Sequence, residues 1–181
     1  MEATRHLAII GTAGRDRKNP LDGLLWQKML KDIRTRVKLE DVLVSGGAAW
    51  ADHLAVKMYL EDRVTGLILY LPAPLELKKF RGGFASSGSA ATYYHELFSK
   101  ASGTSGIAEL HIAIRKGAFV HEQPNHADYS GMFARNKLVA KKATACVAYT
   151  FGDTELADGG TKNTWDQIKS LDKTHVSLRS L

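Results

Sequence analysis

The stretch Val42-Leu-Val-Ser-Gly-Gly-Ala-Ala-Trp-Ala-Asp52 joins a short β-branched apolar run to two glycines and then to the polar entrance of a helix. The residues ahead of Gly46-Gly47 read as a fully buried strand. From Ala51 to Leu60 the apolar positions Leu54, Ala55, Met58 and Tyr59 share one helix face. A strand, a glycine turn and a helix in this order bring backbone N–H groups and the positive end of a helix dipole to the carboxyl edge of a parallel sheet, where anions bind without a charged side chain. Phosphate is the first candidate, and a tight turn with no ligand is the plain alternative.

The unit recurs. Leu7-Ala-Ile-Ile10 is a buried strand that breaks at Gly11-Thr-Ala-Gly14, and Arg15 follows, placed to reach a phosphate above the turn or simply to be solvated. Gly11 and Gly14 form half of a dinucleotide fingerprint whose third glycine is missing, so no cofactor is expected. Apolar positions from Leu21 to Val37, mostly three or four apart, predict the returning helix. Gly66 to Leu71 is a third strand, closed by Pro72 and Pro74, and Ala145 to Tyr149 is a fourth. Gly159-Gly-Thr-Lys-Asn-Thr164 then repeats the pattern, with the hydroxyls of Thr161 and Thr164 at the start of a helix from about 162 to 171. His175 to Leu178 is a short closing strand. The sum is an α/β, Rossmann-like, doubly wound and mainly parallel sheet of about five strands, with helices on both faces.

Residues 76–128 interrupt this order after the third strand. The segment is read as a lid or insertion holding one or two helices, Thr92 to Lys100 and Ile107 to Arg115. His95, His111, His121 and His126 lie here without ligand spacing, so solvated or capping roles are expected and no metal site is. With 181 residues and 44% hydrophobic content, one domain over 1–181 is expected. Cys146 sits in an apolar strand, which suits a reducing compartment. The N-terminal apolar run is too short for a signal segment or a membrane span, so the cytoplasm is expected and no membrane partner. A net charge of +6 favours anionic ligands without forming a long basic block.

Three stretches carry a family resemblance. Ser45-Gly-Gly-Ala48 with Asp52 looks like the S-G-G-A-x-x-x-D turn of the SLOG superfamily, the Rossmann-like group that includes Lonely Guy phosphoribohydrolases and the DNA-processing protein A. Arg135-Asn-Lys-Leu-Val-Ala140 is similar to the R-N-[RK]-x-[IV]-A helix of the DNA-processing branch, and Gly159 to Thr164 is similar to the third motif, G-G-T-x-x-T. The resemblance implies a nucleotide or NAD-derived ligand whose phosphate is held by Gly46, Gly47, Gly159, Gly160 and Thr161, with Arg135 and Asn136 beside it. It also implies a homodimer or higher assembly.

Catalysis is left open by the residues. Lonely Guy enzymes cleave an N-glycosidic bond with an Arg and a Glu. Arg135 matches the first, and Asp166 is the nearest stand-in for the second or else a helix-start charge. Asp52 either caps a helix or orders the glycine turn at the ligand. Trp50 either stacks on a base or packs beneath the insertion. Three functions follow: binding of a nucleotide or nucleotide-derived signal, N-ribohydrolysis of nucleoside monophosphates, and nucleic-acid binding through Lys137, Lys141, Lys142, Lys78, Lys79 and Arg81.

Overall fold

In the computed structural model, which describes residues 2–156 and 159–181, the chain runs β1 (His6–Gly11), α1 (Gly23–Arg34), β2 (Val42–Ser45), α2 (His53–Leu60), β3 (Gly66–Leu71), α3 (Ser87–Ser102), α4 (Gly106–Lys116), β4 (Phe119–Glu122), α5 (Ser130–Lys142), β5 (Ala145–Thr150), α6 (Gly160–Gln167) and β6 (Lys173–Ser177). One tight turn, Trp50–Asp52, precedes α2. The six strands form one sheet in the order β4-β3-β2-β1-β5-β6, and every neighbouring pair is parallel.

The period-2 alternation of the central strands divides the core between two faces. Leu7 and Ile9 of β1, Leu43 of β2 and Val147 and Tyr149 of β5 pack beneath α1 to α4, against Trp26, Met29, Leu54, Met58, Phe98 and Leu110. Ala8, Ile10, Val44, Cys146 and Ala148 face the other way, toward Val139 and Ala140 of α5 and Ile168 beyond α6. The chain therefore steps outward from β1 to β4 with its helices on one face. It then returns along α5 on the opposite face and begins β5 beside β1. The order reverses between β1 and β5, where an open parallel sheet leaves a crevice at its carboxyl edge.

Two of the helices open on side-chain caps. Asp22 caps α1 by accepting the Leu25 N–H at 2.8 Å, and Trp26, Met29, Leu30 and Ile33 form its buried stripe. Ser86 and Ser89 close a reciprocal capping box on α3. The sheet has one more strand than the sequence predicts. β4 is hidden from a pattern reading because it is a four-residue edge strand, and of its residues Phe119, His121 and Glu122 are exposed. The segment 76–128 thus holds α3, α4 and the outermost strand. Among the histidines expected to be solvated or capping, His95 is instead buried at 1% exposure, because α3 turns it inward against Phe98 and Phe80.

Candidate functional site

The loops after β1, β2, β3 and β5 enclose a cavity of about 620 Å³ with one face of α5 and the start of α6, a size that suits a small organic ligand. Met132, Arg135, Asn136 and Val139 present α5 to it at positions i, i+3, i+4 and i+7. Gly11, Thr12 and Arg15 come from the β1 loop, Gly46, Ala48 and Asp52 from the β2 turn, and Gly159, Gly160, Thr161 and Thr164 from α6. Twelve of the sequence-predicted site residues therefore meet at one place.

Five do not line it. Gly14 packs against the edge of the Trp50 indole, so its glycine serves that contact. Trp50 itself is 3% exposed and packs edge-on against Phe98 and Trp26, which gives it the core role and removes it as a stacking platform. Ser45 is fully buried. Its hydroxyl donates to the Asp52 carbonyl at 2.9 Å and accepts the Gly47 N–H at 3.1 Å. Gly47 has a φ of 71° and turns its Cα hydrogen toward Leu71, so the turn needs glycine for backbone reasons. Asp166 pairs with Lys162 at 2.8 Å on the outer side of α6, where its side chain is 57% exposed.

The Gly46-Gly47 turn is furnished from within. Asp52 Oδ2 accepts the Ala48 N–H at 3.2 Å, so the carboxylate orders the turn and does not cap α2 through its side chain. Arg135 lies on the other side of Gly46. Its Nη1 donates to the Gly46 carbonyl and its Nε to Asn136 Oδ1 at 2.9 Å. A methyl group on Gly46 would stand 2.8 Å from Asp52 Oδ2 and 3.0 Å from Arg135 Nε, so only glycine lets acid and base close over this turn. Burial pushes the Asp52 carboxyl above its usual range, opposed first by the Arg135 charge and then by the turn N–H groups. The same burial pushes the Arg135 guanidinium down, against the charge of Asp52.

Beneath the turn, His95 Nε2 donates to the Gly47 carbonyl at 2.9 Å, which fixes the ring's tautomer. Burial drives its pKa down to about 4, with the neighbouring His53 adding to the shift. His53 in turn bonds Glu109 at 2.9 Å, and Lys57 holds the other oxygen of that carboxylate at 2.7 Å.

Residues outside the sequence motifs complete the walls. Tyr94 of α3, Tyr129 ahead of α5, Phe133 and Phe151 give the cavity aromatic surface, and Thr150 lies at its base with its hydroxyl 2.7 Å from His175 Nε2. Arg15 rests its guanidinium 4.9 Å above the Tyr94 ring and 3.0 Å from the Met132 sulfur. Tyr94 falls in the helix expected from Thr92 to Lys100, but only the topology aims that helix at the crevice.

Comparison with known proteins adds three findings. No family model matches the chain. It is 34% identical over 183 residues to "Uncharacterized protein R261" of Acanthamoeba polyphaga mimivirus, across 95% of each protein. The X-ray structure of DNA processing protein A (DprA) from Streptococcus pneumoniae superposes on 97% of the chain with a TM-score of 0.50 at 12% identity, and the chain spans 60% of that protein's length. The last likeness is one of fold, a Rossmann-like α/β sheet. Among the described residues no helix is long and apolar enough to cross a membrane.

Proposed function

The chain belongs to one family with the mimivirus protein, and since that relative is itself uncharacterized we propose from the cavity that this family is of the SLOG type, a single domain binding a nucleotide or NAD-derived nucleotide. The observation that carries the reading is the convergence of a glycine-hydroxyl helix start, Gly160-Thr161, with Arg15, Arg135 and Asn136 in one aromatic-walled cavity. The first-turn N–H groups of a helix have no partners within it, and the dipole favours an anion there. Gly159 and Gly160 have no side chain to cover that end. Tyr94, Tyr129, Phe133 and Phe151 offer ring faces for a base.

This reading moves the phosphate from the place the motifs suggest. The Gly46-Gly47 turn already holds the Asp52 carboxylate, and a second anion there would be repelled, so α6 and Arg15 take the phosphate. Hydrolysis gains no support from Asp166, whose carboxylate pairs with Lys162 and does not line the cavity. Titration calorimetry with the four nucleoside 5′-monophosphates and the matching nucleosides tests the proposal. The phosphate is expected to account for at least a tenfold gain in affinity, about 1.4 kcal/mol, from charge-assisted hydrogen bonds. Equal affinity with and without phosphate removes the α6 site.

The likeness to a protein named for DNA processing favours one second reading, nucleic-acid binding through the exposed Lys137, Lys141 and Lys142 of α5. Salt separates the two, because binding along a phosphate backbone falls steeply with ionic strength and a single phosphate in a glycine nest loses far less. A steep salt dependence for an oligonucleotide, with no mononucleotide binding, would favour the polymer.

A further inference from the structure

We propose that β4 takes up an extended peptide segment of a partner protein as a seventh strand, with an acidic side chain of that segment beside Lys137 in the groove between β4 and α5; the proposal is independent of the nucleotide reading. β4 ends the sheet on one side, so one of its edges is open. Gln123, the residue that follows β4, donates its N–H to the Leu71 carbonyl at 3.0 Å. Backbone groups alternate in direction along a strand, so His121 also turns toward β3, and Val120 and Glu122 turn their N–H and C=O groups outward. Proteins commonly blunt such an edge with a cation or a proline. β4 carries no Lys, Arg or Pro, and its one carboxylate, on Glu122, is turned back to accept the Leu75 N–H. Its four residues allow only a short pairing, so side-chain recognition has to supply the rest.

The groove beside the edge supplies it. Of the strands, α5 packs chiefly on β1, β2 and β3, and it leaves an open groove of about 580 Å³ against β4. Phe133, Ala134, Lys137 and Leu138 line this groove at i, i+1, i+4 and i+5, a helix face distinct from the one that carries Arg135 and Asn136. His121 and Gln123 line it from the strand side. Gln123 is 9% exposed, and among the described residues its carboxamide makes no hydrogen bond. A buried amide with a free donor and a free acceptor matches a peptide group, which offers one of each. Phe133 and Phe119, both more than half exposed, add apolar surface for alternate side chains of the incoming strand. Lys137 has no ion-pair partner among the described residues, and the net charge of the chain is +6, so the complementary segment is acidic. A second copy fits less well, because pairing β4 with itself joins two chains of the same charge and leaves both Lys137 groups without a counter-ion.

The test is selection of a displayed library of random octapeptides on the full chain, followed by fluorescence anisotropy of the selected sequences. They are expected to share an acidic residue two positions from an apolar one, the spacing of one strand face. N-methylation of alternate peptide nitrogens should weaken binding at least tenfold in one register and little in the other, because only one set of N–H groups faces β4. Lys137→Glu alters an exposed side chain, and it should weaken binding about fivefold and favour the same peptide with lysine in place of the acid. Amide hydrogen exchange at Val120 and Glu122 should slow when peptide binds. Selection of no peptide above an unrelated control protein overturns the proposal, as does binding that survives N-methylation in both registers. Protection of Val120 and Glu122 in the free protein that disappears on dilution assigns the edge to a second copy instead. Peptides displaced by a single-stranded oligonucleotide, with exchange at Val120 and Glu122 unchanged throughout, bind elsewhere and also overturn it.

Discussion

Two glycines that look alike in the sequence have different tasks. Gly47→Ala places a methyl group against Leu71 on a left-handed backbone, and we expect about 2 kcal/mol or more of lost stability, read as a fall in the urea midpoint. Gly160 has only Asn136 near its missing side chain, so Gly160→Asp should leave the midpoint within about 0.5 kcal/mol and weaken nucleoside monophosphate binding at least tenfold by placing a charge at the proposed phosphate position. The reverse outcome, a stable Gly47→Ala with lost binding, would return the phosphate to the β2 turn. His95 supplies a pH dependence. Its folded pKa, about 4, lies below the ordinary 6.5, so the unfolded chain takes up the proton first as pH falls. Stability is complete above about pH 6.5 and is lost toward pH 4, by about 3 kcal/mol from this residue alone. Denaturant midpoints measured from pH 7.5 to 4.5 should fall on the acid side, and less steeply in His95→Gln, whose amide still donates to the Gly47 carbonyl. A flat midpoint would mean that the ring is not held neutral. Of these features the motif residues were legible, because spacing reveals glycine turns. The burial of His95 and Trp50 was not, because no local period tells which face of α3 or of the Trp50 turn meets the core.

At the scale of elements, α3 is both wall and core. Its capping box and the buried Phe98 and His95 fix it to the sheet, while Ala91 and Tyr94 face the cavity. The lid expected from sequence would exchange freely when empty. A packed helix should not, so amides from about 90 to 98 are expected to be well protected without ligand, with further slowing near Tyr94 when a nucleoside monophosphate saturates the site. Unchanged exchange at saturation would detach α3 from the site. The contrast on α5 follows from its faces: Arg135 is buried at the cavity and Lys141 is exposed, so Arg135→Ala should cost far more affinity than Lys141→Ala in the same calorimetric series. The sequence pattern ended α6 late. It stops at Gln167, where Ile168 leaves helical geometry to pack beneath α5, and the chain goes on to β6.

For the whole molecule, alternating strands and helices made the parallel sheet legible, and the turn residues located the edge where the cavity lies. The strand order was not legible, since nothing local says that β5 returns to the flank of β1 or that four residues after α4 extend the sheet. That order has a consequence for biosynthesis. Leu7 pairs with Ala145 and Gly11 with Tyr149, so this central strand of the sheet finds its second neighbour only after β2, β3 and β4 have been made. Contacts so distant in sequence close late and slowly. Until then the nascent chain carries β1 as an open edge, with Ala8 and Ile10 uncovered by α5. An emerging polypeptide in that state exposes a strand edge and an apolar face that only α5 and β5 later cover, the kind of surface on which aggregation starts.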